Sequence, residues 1–148
     1  MAAKKAMIGM SGGVDSSVAA WLTAQAGYDC IGATMRLHIS DGNDADDARH
    51  VAERMGIPFH VFDFSDEFCR LVKDSFVHAY EQGLTPNPCI TCNRYLKFGA
   101  FLRKAQDLDC DKIVTGHYAQ IRQDKNGRYL LTKAADAEKD QTYFLYSL

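Results

Sequence analysis

Apolar positions fall into short runs and helical stripes that alternate along the chain. Residues 6–10 form an apolar run of strand length, ahead of Ser11-Gly12-Gly13-Val14-Asp15-Ser16-Ser17. A helical pattern follows, with Val18, Trp21 and Leu22 on one face and a stop at Gly27. Residues 28–37 read as a second strand, rich in β-branched and apolar side chains. Residues 40–47 are polar, with four aspartates, and read as a solvated loop entering a helix. That helix carries Ala48, Val51, Ala52 and Met55 and ends at Gly56 and Pro58. Residues 59–63 make a third strand. Phe68, Leu71, Val72, Phe76, Ala79 and Tyr80 keep i, i+3, i+4 spacing up to Gly83, which predicts a core-packed helix. Residues 98–108 form another helix through Phe101, Leu102 and Ala105, and 112–115 a fourth strand ending at Gly116-His117. Residues 119–122 and 129–132 flank Asp124-Lys125-Asn126-Gly127, a hairpin signal. Lys139-Asp140-Gln141 reads as the start of a last helix.

Strands alternating with helices predict an α/β fold, a parallel twisted sheet with helices on both faces. Ligands of such sheets sit beyond the carboxyl ends of the strands. The serine–glycine stretch, Met35, Asp63 and Gly116 stand at or near the four strand ends and are expected to converge on one crevice. The 148 residues fit a single domain, and an apolar fraction of 47% suffices for a core. No run approaches the ~20 apolar residues of a membrane span, and the apolar run after Lys4-Lys5 is too short for a signal peptide. Five cysteines, an odd number at irregular spacing, therefore read as reduced thiols in a cytoplasm, with Cys30 and Cys69 buried and inert. Net charge is −2, but residues 1–93 carry 7 basic and 12 acidic side chains and residues 94–148 carry 10 and 7. The basic second part is able to face a polyanion, but on charge alone ordinary solvated side chains are the favoured reading.

The Ser11–Ser17 stretch lies where a strand turns into a helix. Gly12 and Gly13 let backbone approach a ligand closely, and Ser16 and Ser17 are expected to cap the helix and leave amides pointing outward. That makes a phosphate cradle at a positive helix end. No lysine follows the glycines, so this is not a GxxxxGK[ST] loop.

Residues 84–99 read as a rigid, extended, cysteine-bearing loop, with Pro86 and Pro88 on either side of Asn87. Cys89 and Cys92 are spaced Cys-x-x-Cys. Half a zinc site, a redox pair and a nucleophilic thiol with a neighbour all fit that spacing. The first lacks a second ligand pair and the second lacks its usual fold context, which favours the nucleophile.

SGGVDS resembles the pyrophosphatase loop of enzymes that split ATP into AMP and pyrophosphate. Together with TPNPCITCNRYLKFG, TGHYA and KDQTYFLYSL, it resembles the tRNA-specific 2-thiouridylases in the same order over essentially the whole chain. The resemblance implies an adenine nucleotide alpha hydrolase-like fold. ATP would be held by Gly9, Met10, Ser11, Gly12, Gly13, Val14, Asp15, Ser16, Met35 and Gly116, with Mg²⁺ at the phosphates. It implies that Cys92 is the nucleophile, with Cys89 a secondary candidate at a position where some relatives carry Asp. It also implies that Asn87, Pro88, Cys89, Lys139, Asp140 and Gln141 meet tRNA. His117 alone reads as structural; by resemblance its segment lines the ATP crevice.

The implied reaction joins AMP to the 2-oxygen of a tRNA wobble uridine and then replaces that oxygen with sulfur from a cysteine persulfide. A sulfur-donor or relay protein would supply the persulfide. Members of the family run longer, with a second catalytic cysteine that none of Cys30, Cys69 or Cys110 matches. Residues 1–148 are therefore expected to be a truncated catalytic domain, inactive alone in thiolation. The alternatives are another ATP pyrophosphatase with the same loop, a fragment that only binds ATP or tRNA, and an iron–sulfur site using Cys89, Cys92 and an absent third cysteine.

Overall fold

The structure, a computed structural model, describes residues 3–38 and 45–148. Most of the predicted polar loop, residues 40–44, lies outside the described residues. Strands β1 (Lys5–Gly9), β2 (Asp29–Arg36), β3 (Phe59–Asp63) and β4 (Lys112–Val114) form a parallel sheet in the order β3-β2-β1-β4. Ala6, Met7 and Ile8 of β1 are all fully buried, as in a strand covered on both faces. Met7 faces a cluster with Phe64, Val72, Leu96 and Phe101, while Ile8 faces one with Ala20, Cys30, Ala48 and Ala52. Helices thus cover both faces, as the alternation predicted. The chain winds outward from β1 through β2 to β3, then returns to place β4 on the other side of β1. A ligand crevice belongs at that reversal.

On one face lie α1 (Val14–Gln25) and α2 (Asp46–Met55). The face of α1 that packs inward is Ser16 and Ala20, not the predicted stripe; Val18, Trp21 and Leu22 are each about half exposed. The cause is close approach. Ala20 shares a buried cluster with Ala48 and Ala52 of α2, and only small side chains fit between helices so near the sheet.

On the other face, α3 consists of three consecutive segments, α-helical Ser65–Phe68, π-helical Cys69–Lys73 and α-helical Asp74–Glu81. Phe68, Leu71 and Val72 reach the core, Phe76 and Ala79 are half-buried, and Tyr80 is exposed. The wider π turn shifts the stripe so that its second half is only partly covered. It also leaves Cys69 exposed, contrary to expectation, while Cys30 is buried as expected.

The predicted loop over 84–99 ends early. Asn87 is extended, as its prolines require, and caps a helix, its Oδ1 accepting from the Cys89 amide at 3.1 Å. Pro88 takes the first helical position, where a missing N–H costs nothing. Helix α4 then runs through Pro88–Cys92, a π-helical stretch Asn93–Ala100, and Phe101–Asp107. Strands β5 (Gln120–Gln123) and β6 (Tyr129–Thr132) form the expected antiparallel hairpin. The last helix predicted at Lys139 is instead two 3-10 turns, Ala137–Lys139 and Thr142–Leu145. Asp140 breaks the run: its carboxylate accepts from the Ala134 amide at 2.8 Å and from the Thr142 hydroxyl at 2.7 Å. Among the described residues no helix is long and apolar enough to cross a membrane.

Candidate active site

The loop between β1 and α1 is braced by its own serines. Ser16 Oγ donates to the Gly13 carbonyl at 3.0 Å and accepts from the Ser11 amide at 3.2 Å; Ser17 Oγ donates to the same carbonyl at 2.9 Å. The N-cap position is Gly13, without a side-chain cap, so the serines tie the first turn to the loop rather than capping it as expected. The first-turn amides of α1 have no intrahelical acceptor and carry the positive end of the helix dipole. Gly12 has φ +81°, and a Cβ there would stand 2.5 Å from Asp47 Cβ. A Cβ on Gly116 would stand 3.0 Å from the Asp15 carbonyl carbon and the Ser16 amide nitrogen, so the end of β4 is pressed onto the loop.

Beyond the strand ends opens a cavity of about 550 Å³, within the range of nucleotide-sized sites. Gly9, Met10, Ser11, Asp15, Ser16, Met35 and Gly116 line it, as the sequence indicated. Gly12 and Val14 instead border a shallower depression beside Trp21, and Gly13 lines neither. Asp63 does not line the cavity; it pairs with Arg36, which does, at 3.9 Å. Phe68 and Phe101 add apolar wall, and Lys97, Thr115, His117 and Gln141 add polar groups. Of the residues assigned to tRNA, Gln141 is the one that reaches the cavity.

His117 sits between Thr115 and Lys97, with Nδ1 2.8 Å from Thr115 Oγ1 and Nε2 3.5 Å from Lys97 Nζ. An ammonium can only donate, so Nε2 accepts and Nδ1 carries the ring proton. Burial, reinforced by the Lys97 charge, pushes the imidazole pKa down to about 4. Asp15 accepts from the Tyr118 hydroxyl at 2.7 Å. Tyr118 is also joined to Gln141 at both backbone positions, its amide donating to Gln141 Oε1 at 3.0 Å and its carbonyl accepting from the Gln141 amide at 2.9 Å. Lys139 Nζ lies over the Tyr118 ring, 5.2 Å from its centre. One tyrosine thus fastens the segment around Gln141 to the loop. TGHYA was visible in the sequence, but the pairing of Tyr118 with Asp15, 103 residues away, was not.

Cys92 does not line the cavity; it is half-buried against the core, and Cys89 is exposed. Burial raises the Cys92 thiol pKa, the Lys97 charge lowers it and Cys89 raises it again. Arg94 is not the cation at this thiol; its guanidinium lies over the Tyr95 ring, 5.3 Å from the centre. Asn93 is buried and donates from Nδ2 to the Phe144 carbonyl at 3.1 Å, holding the last 3-10 turn against α4. All five cysteines are free, and among the described residues no three His, Cys, Asp or Glu side chains are arranged to hold a metal ion. Asn87 and Pro88 stand at the start of α4, with Lys139 and Asp140 on the C-terminal segment.

Residues 4–148 match the tRNA methyl transferase HUP domain family. The chain belongs to that family. This HUP domain is 51% identical to the tRNA-specific 2-thiouridylase MnmA of Clostridioides difficile, over 98% of this chain and 44% of the relative. It is 50% identical to the protein of the same name from Symbiobacterium thermophilum, over 99% and 42%. The HUP domain therefore spans less than half the length of these relatives. Among solved structures, a predicted subunit of tRNA methyltransferase from Methanocaldococcus jannaschii superposes with TM-score 0.55 at 15% identity, over 84% of this chain and 57% of that one. The NMN synthetase of Francisella tularensis superposes with TM-score 0.52 at 23% identity, over 74% and 44%. At these identities the superpositions establish the fold.

Proposed function

We propose that this chain is the ATP-using catalytic domain of a tRNA-uridine 2-sulfurtransferase. The observation that carries the reading is the cavity itself. It is bounded on one side by the pyrophosphatase-type loop and on the other by α4, the helix that bears Cys92. The names of the relatives support uridine thiolation, and a thiol-bearing helix beside a nucleotide loop suits sulfur transfer better than the methyl transfer in the family's description.

A ring carbonyl oxygen is a poor leaving group, and joining it to AMP makes it a good one. The uridine 2-oxygen attacks the α-phosphorus of ATP, the bond to the β-phosphate bridging oxygen breaks, and the N3 proton is lost. The α1 amides and the hydroxyl of Ser11 face the negative charge that develops on the departing pyrophosphate. Magnesium characteristically takes one or two carboxylates plus phosphate oxygens, and Asp15 at the cavity wall fits that role. Bound there it would neutralise phosphate charge. To reach the cavity the base must leave its stack.

The outer sulfur of a cysteine persulfide then attacks the ring carbon, and AMP departs with the electron pair of the broken C–O bond. The Cys92 thiolate attacks the inner sulfur, the former S–S bond breaks, and its electron pair stays on the sulfur now attached to the ring. Two cysteines end as a disulfide, the transferred sulfur is reduced to the thiocarbonyl level, and N3 regains a proton. The persulfide comes from a donor or relay protein onto a cysteine of the longer enzyme.

The test uses this chain fused to the C-terminal remainder of the Clostridioides difficile relative, with ATP, tRNA and no sulfur donor. Release of pyrophosphate dependent on tRNA, with AMP retained on the tRNA, is expected. Release of phosphate instead, or no tRNA dependence, would exclude adenylation.

A further inference from the structure

The loop after β1 has no lysine of its own, yet four phosphate charges call for a cation. The described cavity lining supplies one lysine, Lys97, and it comes from α4 rather than from the loop. The other cationic or ionisable bases there are Arg36, paired with Asp63, together with His38 and His117. Lys97 Nζ is directed by His117 Nε2 at 3.5 Å, and His117 is in turn fixed by Thr115 at 2.8 Å. An imidazole kept neutral by burial orients the ammonium without cancelling its charge.

Helix geometry ties the same lysine to Cys92. In an α-helix, residues five apart point roughly 140° away from each other. Residues 93–100 are π-helical, as the Phe101 amide bonded to the Leu96 carbonyl shows. The i→i+5 repeat brings positions five apart onto one side. Lys97 is five residues after Cys92, within the π stretch that begins at the next residue, and its charge acts on the Cys92 thiol.

We propose that Lys97 is the phosphate-binding cation of this site, contacting the α-phosphate of the bound nucleotide while standing beside Cys92 as the countercharge of its thiolate. The assignment rests on the nucleotide reading above and adds to it the residue that joins the two half-reactions. While the α-phosphate is present it shares the ammonium. Once AMP leaves, the charge of Lys97 is fully available to the thiolate, which orders sulfur release after activation. The groups that bear on Cys92 are Lys97 and Cys89, and His117 contacts Lys97.

Calorimetry on the 148-residue chain with adenosine, AMP and Mg-ATP, in the unaltered protein, Lys97→Met and Lys97→Arg, tests the first half. Lys97→Met is expected to weaken AMP and Mg-ATP about tenfold to a hundredfold, as for loss of a charged hydrogen bond, and to leave adenosine unchanged. Lys97→Arg is expected to recover most of the loss. Equal weakening of adenosine would make Lys97 structural, and unchanged AMP and Mg-ATP affinity would overturn the assignment while leaving the nucleotide site standing. Failure of the unaltered chain to bind any of the three would overturn the nucleotide reading and this proposal with it. The second half is read from iodoacetamide alkylation of Cys92 against pH, followed by mass spectrometry of its peptide. Lys97→Met is expected to move the midpoint to higher pH and Lys97→Arg to restore it; an unmoved midpoint would remove Lys97 from the thiol.

Discussion

At the scale of single residues, folding alters the charge state of His117. Its pKa falls from 6.5 unfolded to about 4 folded, first through burial and then through Lys97. The unfolded chain therefore binds more protons between those values, and stability falls as pH drops from 6.5 toward 4, with no further loss from this group below that. His117→Gln, which keeps an acceptor for Lys97, is expected to flatten this part of a urea-melt pH series. An equally steep dependence in the variant would place the proton uptake elsewhere. Roles at this scale were only partly legible. Asp15 and Gly116 were identifiable as cavity residues because their motifs are local. Lys97 stood in plain sight five residues after Cys92, but an α-helical or loop reading of that stretch separates the two. Tyr118 was missed because its partners lie far off in sequence.

At the scale of elements, α4 carries the site. Leu96, Ala100, Phe101 and Ala105 are buried against the sheet, and Phe101 also meets Phe62 edge-to-face at 6.4 Å between ring centres. Phe101→Ala is expected to cost roughly 3–5 kcal/mol, measured by urea unfolding. A cost under about 1 kcal/mol would mean that the helix is not anchored through this ring. On the opposite side of β1, Gly12→Ala has to accommodate both a positive φ and the 2.5 Å approach to Asp47. It should lower stability and Mg-ATP affinity together, and normal values of both would show that the loop is not held against α2. Strands were legible almost to the residue, because β-branched and apolar runs bounded by glycine and proline leave few alternatives. Helix faces were not. The outward turn of Val18, Trp21 and Leu22 follows from close alanine contacts with α2, and the π turns in α3 and α4 have no signature in a 3.6-residue periodicity. Nor did sequence show that Asn87 ends the extended segment and starts a helix.

At the scale of the molecule, acidic side chains predominate up to residue 93 and basic ones after it. In the proposed function the basic part meets tRNA. Lys139 is exposed on the segment fastened to the loop through Tyr118, so Lys139→Gln is expected to reduce the slope of log affinity for tRNA against log salt by about one. An unchanged slope would take Lys139 off the tRNA surface. The family, the fold and the turn from β1 into α1 were all recoverable from sequence, since they reside in contiguous motifs. The way the C-terminal segment returns to brace the loop was not, because it depends on contacts across the sheet.

In the proposed function Cys92, beside the nucleotide site, releases the sulfur, and Cys89 does not. The measurement is 2-thiouridine in tRNA, quantified by mass spectrometry. It uses the same fusion, supplied with ATP and a persulfide donor in the absence of iron, as unaltered, Cys92→Ser and Cys89→Asp proteins. Cys89 is exposed at the helix start, whereas Cys92 is half-buried with Lys97 acting on it. Thiouridine is expected from the unaltered protein and from Cys89→Asp, none from Cys92→Ser, with unchanged Mg-ATP binding in both variants. Loss of thiouridine in both variants alike would contradict that role of Cys92 and favour a site in which the two sulfurs hold a cluster together.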